Sequence, residues 1–220
     1  MGLLDDLKKQ AETVKTQQHL QQTLQEGNLK LVEDKMRQAF QYVNELLKQL
    51  AVLKPVNPMI YSIPGIGDLT NLGYAESFID YRRKRLADRD CMDSISFYIR
   101  WSSDQTLVVE RDMPAGAGKV RDVLFAYGLK FAEEEVKGQR GVAAVWRFSV
   151  QSTIVADVSV RADHEHGKLL VTGKNLEHLG TEDFAVPAAE VNESLLEEFA
   201  KMLLGQPGGF RKYRSFAARR

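Results

Sequence analysis

The apolar residues of this chain fall into two regimes of spacing. From residue 3 to about residue 53 they recur every three or four positions. Leu3, Leu4, Leu7, Ala11 and Val14 come first, and Leu29, Val32, Met36, Phe40, Val43, Leu47, Leu50 and Leu53 follow. That spacing lays a stripe along a helix, and Pro55 stops it. Between the two sets lies a glutamine-rich stretch with few apolar anchors, ending in Gly27-Asn28, a dipeptide that suits both a helix stop and a new N-cap. Two forms are open. One is a single helix of about 50 residues, about 75 Å long at 1.5 Å per residue. The other is a helical hairpin turning at 27–28. Gln18, Gln21 and Gln25 interrupt the seam as a coiled coil would not, which favours a bend near Gly27.

Residues 55–73 are punctuated by Pro55, Pro58, Pro64, Gly65, Gly67 and Gly73 and read as a joint, with a short strand over 59–63. Beyond it the period falls to two. Residues 77–86 suit strand or helix about equally. Residues 94–101 alternate clearly; Ser102-Ser103-Asp104 predicts a turn, and 106–111 a returning strand. Pro114 and Gly128 bracket a short helix over 114–127. A second hairpin is predicted from 131–137 and 142–150 around Gly138-Gln139-Arg140-Gly141. Residues 153–162 alternate strictly and turn through 164–167 into 168–172. A last helix runs from near Pro187 to Gly205 on the stripe Val191, Leu195, Phe199 and Met202.

Short hairpins without a recurring strand–helix–strand rhythm predict an α+β fold. It is an antiparallel sheet of two or more hairpins with a short central helix and a C-terminal helix packed on it. A long helical or helical-hairpin N-terminal arm precedes it. The expected organisation is a helical arm over 1–54 (coiled coil or hairpin), a joint over 55–73, a core domain over 74–206 and a basic, aromatic tail over 207–220.

Composition narrows the class. Hydrophobic residues make up 44% and charged residues 27%, the balance of a globular chain. Thirty basic residues match thirty acidic ones, which argues against a surface built wholly for nucleic acid. The single cysteine, Cys91, excludes an intramolecular disulfide and fits a reducing, cytoplasmic setting. Asp5 and Asp6 stand where a secretory signal would be basic, Asp6 lacks the hydroxyl of a myristoylation motif, and no transmembrane segment is expected.

Candidate chemistry is thin. His164 and His166 alternate within Asp163-His164-Glu165-His166, but a zinc site needs three or four ligands and the sequence offers no complete set nearby; a polar hairpin tip closed by Gly167 is the preferred reading. Gly116-Ala117-Gly118-Lys119 fails as a phosphate loop, with Met113 where a glycine belongs and Val120 where a hydroxyl belongs. No cofactor and no metal are expected. Acidic neighbours disfavour Cys91 as a nucleophile. If the loop is Gln139-Arg140 alone, Glu133 faces Trp146 and Phe131 faces Phe148, a setting that raises a carboxyl pKa; a charged sheet edge is the plainer reading. The run Tyr81-Arg82-Arg83-Lys84-Arg85, with Asp80, Asp88 and Asp90 around it, reads as a salt-bridged surface.

The tail differs. Phe210, Arg211, Lys212, Tyr213, Arg214 and Phe216 interleave aromatic and basic groups with no acid, behind a flexible Gly208-Gly209 joint. These are the candidate binding residues for a polyanion or anionic surface, the alternative being a terminus packed on its own domain. The layout of an LLDDLKKQAE helix at 3–12, a proline-rich joint and a strand-rich domain resembles that of bacterial proteins, and implies a bacterial source only. The expected function is a non-catalytic interaction or adaptor protein, homo-oligomeric through residues 3–53. The alternative is a nucleic-acid or anionic-surface binder using residues 210–220. The third is a metal-dependent or carboxylate-based hydrolase at His164, His166 or Glu133.

Overall fold

A computed structural model describes residues 3–86, 88–136 and 145–215. The first element is one α-helix, α1 (Leu3–Leu53), of 51 residues. The expected break at Gly27-Asn28 does not form. Glycine inside a helix costs only about 1 kcal/mol against alanine, and extending a helix that is already nucleated is favourable. Asn28 does not cap a second helix; its side-chain amide donates to the Glu165 carbonyl at 3.1 Å.

The strands are β1 (Val56–Asn57), β2 (Tyr61–Ile63), β3 (Gly67–Leu69), β4 (Leu72–Leu86), β5 (Arg89–Arg111), β6 (Phe131–Val136), β7 (Val145–Asp163), β8 (Lys168–Lys174) and β9 (Thr181–Pro187). Two further helices are α2 (Pro114–Tyr127) and α3 (Glu193–Leu203), with 3₁₀ turns at Ala188–Glu190 and Phe210–Tyr213. One curled antiparallel sheet runs in the order β1-β4-β5-β7-β8-β9, and β6 pairs with the first part of β7. β2 and β3 form a separate small hairpin.

Several expectations are corrected. There is no turn at 102–104: β5 runs straight through. Between Ser102↔Thr153 and Thr106↔Gln151, β5 spends four residues where β7 spends two, so the extra residues form a bulge. The Ser103 hydroxyl accepts from the Gln105 N–H at 3.0 Å, which satisfies a donor the bulge leaves unpaired. The strands expected at 142–150 and 153–162 are likewise one strand, β7. Over 77–86 no expectation is overturned: of the two readings open there, it is strand that forms, within β4. β9 was not anticipated, and α3 starts at Glu193 rather than near Pro187, capped by Asn192, whose side chain accepts from the Leu195 N–H at 3.0 Å. The 131–136 pairing is shifted by two residues: Phe131 faces Val150, Glu133 faces Phe148 and Glu135 faces Trp146. The predicted loop 138–141 lies outside the described residues. The helix at 114–127 is as expected, with Gly128 left-handed at φ 67°.

The concave face of the sheet holds the core. Ile95, Phe97, Ile99 and Trp101 of β5, and Ile154, Ala156, Val158 and Val160 of β7, alternate inward. Onto them pack Val32, Met36, Ala39, Val43, Leu47 and Leu50 of α1, and Leu196, Phe199 and Leu203 of α3, in one cluster. The second half of the helical arm is therefore part of the domain core. At roughly 1.5–3 kcal/mol for each large apolar side chain buried, that stripe fixes the helix firmly on the sheet. The β2–β3 hairpin closes one side. Its Tyr61 is buried, the hydroxyl donating to the Leu176 carbonyl at 3.1 Å, and burial pushes its pKa up to about 12.

Candidate functional site

The point where α1 meets the domain is built by three residues. Asn28 holds the β7–β8 turn through Glu165. One turn on, the Glu33 carboxylate accepts the Met92 N–H at 2.7 Å and pairs with Arg37 at 2.9 Å. Gly167, at φ 64°, lies so close that a Cβ on it would sit 2.8 Å from the Asn28 Oδ1. N-terminal to this anchor the helix continues for 25 residues, 3–27, about 37 Å at 1.5 Å per residue. Its described side chains between 12 and 27 are exposed all round, with Val14 at 50%, Leu20 at 60% and Leu24 at 59%.

That exposed stretch is poor in charge. Between 12 and 27 only Glu12, Lys15 and Glu26 are formally charged, and most of the rest is Thr, Gln and Leu. The Thr16 and Thr23 hydroxyls donate back to the carbonyls of Glu12 and His19, at 2.8 and 2.9 Å, so the helix itself satisfies them. A helix that stands in water usually carries many charged pairs along its faces; this one does not.

The tail residues sit elsewhere and are docked. Phe210 is buried, its ring 4.8 Å from Phe199 and 5.2 Å from Phe184. Arg214 bridges to Phe184 at the free edge of β9, and the Ser215 N–H donates to the Asp183 carbonyl at 2.7 Å. The Gly208-Gly209 joint is held too, the Gly209 N–H donating to Glu198 at 2.5 Å. Arg211 grips Glu177 with two N–H groups, and Arg214 pairs with Glu182. Both carboxylates are nearly buried, so these guanidiniums neutralise their own domain. The hydrogen bonds to Glu177 hold the Arg211 pKa above its ordinary value. Tyr213 donates to Glu190 at 2.5 Å, and the Lys212 ammonium lies 4.7 Å from the Tyr213 ring centre. Phe216 lies outside the described residues, as do 217–220.

The remaining candidates are not brought together. An imidazole nitrogen of His164 bonds the Met92 carbonyl at 3.1 Å, whereas His166 bonds Asp163 at 3.0 Å. Burial pushes Asp163 up, but the His166 backbone and side-chain hydrogen bonds outweigh it and leave the carboxyl below its usual range. Among the described residues no group of three or more His, Cys, Asp or Glu is placed to hold a metal ion. Glu133 is bound by Arg121 at 2.9 and 2.5 Å, and that hydrogen-bonded pairing lowers its pKa, the opposite of what a general acid beside an aromatic face needs. Burial, and then Glu33, push the Cys91 thiol up. In the basic run, Arg83, Lys84 and Arg85 pair with Asp90, Asp93 and Asp88.

One group of residues was not anticipated. Phe78, Tyr98, Asp157 and Lys174 lie opposite one another on β4, β5, β7 and β8, in a row across the convex face. The strand order and register that align them are set by tertiary pairing, and no local spacing announces them.

No helix among the described residues is long and apolar enough to cross a membrane. No known protein family, curated protein or solved structure matches the chain.

Proposed function

We propose that this chain is a non-catalytic interaction protein that associates with a second copy of itself through the first half of α1. The observation that carries this reading is the exposure of Val14, Leu20 and Leu24 on a helix that is continuous with, and rigidly anchored to, the core. The stripe at 29–50 is spent on the sheet, so self-association falls to residues 3–27. Between 12 and 27 the charges are few and of mixed sign, Glu12, Lys15 and Glu26, so two such stretches meet little like-charge repulsion. Polar Gln positions beside the leucines reduce stability but can fix a single register, as isolated polar seam residues do in helix pairs.

The test uses the full chain and a Leu20→Lys/Leu24→Lys variant, in sedimentation equilibrium at tens of micromolar. The parent is expected to be a dimer or larger and the variant a folded monomer, with the same circular dichroism because neither leucine is buried in the core. A monomeric parent at 100 µM, or an equally associated variant, refutes the proposal.

A further inference from the structure

We propose that the convex face of the sheet carries a site for a nucleoside monophosphate. The register places Phe78 opposite Tyr98, Tyr98 opposite Asp157 and Asp157 opposite Lys174, so the four side chains share one face across four strands. Phe78 is 58% exposed, an unusual position for phenylalanine, and its ring lies 6.3 Å from that of Tyr98 at 33°. Together they form a tilted aromatic pair, with the Tyr98 hydroxyl donating to Glu76 at 3.1 Å. The Arg100 guanidinium sits 6.0 Å from the Tyr98 ring and is fixed by Glu76 at 2.7 Å. Aromatic surfaces of this kind stack on planar bases.

Two depressions flank the row and meet at Asp157. One, of about 180 Å³, includes Phe78, Arg82 and Tyr98. The other, of about 410 Å³, lies between the sheet and the end of α2 and includes Tyr127, Lys130, Lys174 and Asn175. The larger of the two alone falls in the range of roughly 300–1,000 Å³ typical of small-molecule sites. Asp157 and Lys174 face each other directly, yet among the described residues neither makes an ion pair, and Lys130 makes none either. The wall is rigid: Asn175 is buried at φ 54°, its side chain donating to the Val155 carbonyl at 3.2 Å and accepting from the Gly180 N–H at 3.1 Å.

Each part has a chemical match. The Phe78–Tyr98 pair takes a base, the Asp157 carboxylate accepts from a ribose diol, and Lys174 with Lys130 meets a phosphate. Tyr98 and Lys174 are two strand spacings apart, about 10 Å, which one mononucleotide spans. Glu76, Asp80 and Asp183 lie on strands around the row and would repel the backbone of a longer strand.

The test is calorimetry on the full chain with the four ribonucleoside monophosphates, their four nucleosides, 2′,3′-dideoxy-AMP and a single-stranded decamer. At least one monophosphate is expected to bind roughly tenfold more tightly than its nucleoside. Lys174→Gln should erase that difference, Asp157→Asn should erase any preference for AMP over its dideoxy form, and Phe78→Ala should weaken every nucleotide. Arg37→Gln, on α1 and lining neither depression, should change nothing. The proposal is overturned if no monophosphate binds below about 10 mM, if Lys174→Gln leaves the affinities as they were, or if only the decamer binds.

Discussion

Replacing Phe210 by alanine tests whether the C-terminal segment belongs to the core. The ring is 4% exposed and stacks among Phe184, Phe199 and Tyr213, at centroid distances of 5.2, 4.8 and 5.8 Å. Removing a buried phenylalanine ring typically costs about 3–5 kcal/mol, part transfer and part cavity. The upper half of that range applies here, because Phe210 already borders an apolar void of about 30 Å³ that the new space would join. The ion pairs of the same segment contribute much less. The Arg211 side chain is 61% exposed, so solvent screens its pairing with Glu177 to about 0–1 kcal/mol. For a chain of this length each kcal/mol moves the melting temperature by about 2–4 °C. Phe210→Ala should therefore melt roughly 8–20 °C lower, and Arg211→Ala no more than about 4 °C lower. Scanning calorimetry measures the shift, and urea unfolding followed by Trp101 and Trp146 fluorescence supplies the free energy. If Phe210→Ala melts within about 2 °C of the parent, the segment does not pack as described, and its aromatic and basic groups are free to bind instead.

Two glycines should respond to alanine with opposite signs. A Cβ at Gly27 meets nothing within 4 Å, and the helix there is regular, so Gly27→Ala should gain about 0.5–1 kcal/mol and raise the helical circular dichroism; a loss would reveal a hinge. Gly167→Ala forces a side chain into φ 64° and against Asn28, and should lose about 1–2 kcal/mol or more in chemical denaturation; a neutral result would remove the Asn28–Glu165 anchor from the account. Acid should weaken the Arg121–Glu133 pair. Glu133 has a folded pKa below its unfolded one, so its contribution is present above about pH 4.3 and is lost as pH falls through the folded value. Both side chains are partly exposed, which limits the effect to under about 1 kcal/mol. Stability measured from pH 6 to pH 3 should decline less steeply in Glu133→Gln than in the parent, and equal slopes would contradict the assignment.

Where the local signal and the global arrangement agreed, the sequence was readable. Pro114 and Gly128 delimit α2 because each constrains its own backbone. The alternation at 153–162 reported a sheet with one buried face, which is what β7 has. Strand ends and partners were not readable, for an identifiable reason. Ser102-Ser103-Asp104 carries turn chemistry, and a bulge uses the same chemistry, since both need a side chain to satisfy stray backbone groups. Only pairing to a third strand distinguishes them, and β7 supplies it to both halves of β5. The two-residue shift between β6 and β7 has the same origin: register follows from loop length, and alternation looks identical after a shift of two. The tail misled in another way. Interleaved Arg and aromatic residues suit an external polyanion, but they equally suit a patch of the same chain bearing Glu177, Glu182 and the Phe184 and Phe199 rings. Those partners lie 11 to 37 positions away in sequence and become neighbours only through the β8–β9 loop, β9 and α3.

The unbroken helix follows from a distinction between what glycine permits and what it compels. A break at Gly27 needs something to gain by breaking: carbonyls and N–H groups released there must find better partners than each other. The residue placed to cap a new helix is Asn28, and its side chain is held against the β7–β8 turn by the amide N–H it donates to the Glu165 carbonyl. Turning at 27 would also fold residues 3–26 back onto α1, whose sheet-facing side is already filled by β5, β7 and α3. The stripe that remains on the outer side of residues 30–50 is made of Lys30, Asp34, Arg37, Gln41, Glu45 and Lys48, exposed and largely charged. An arm rich in Thr, Gln and Leu gains little apolar burial against that surface. With neither a capping group nor an apolar surface to receive it, the first half of α1 stays helical and extended, and Val14, Leu20 and Leu24 remain available to a partner outside the domain.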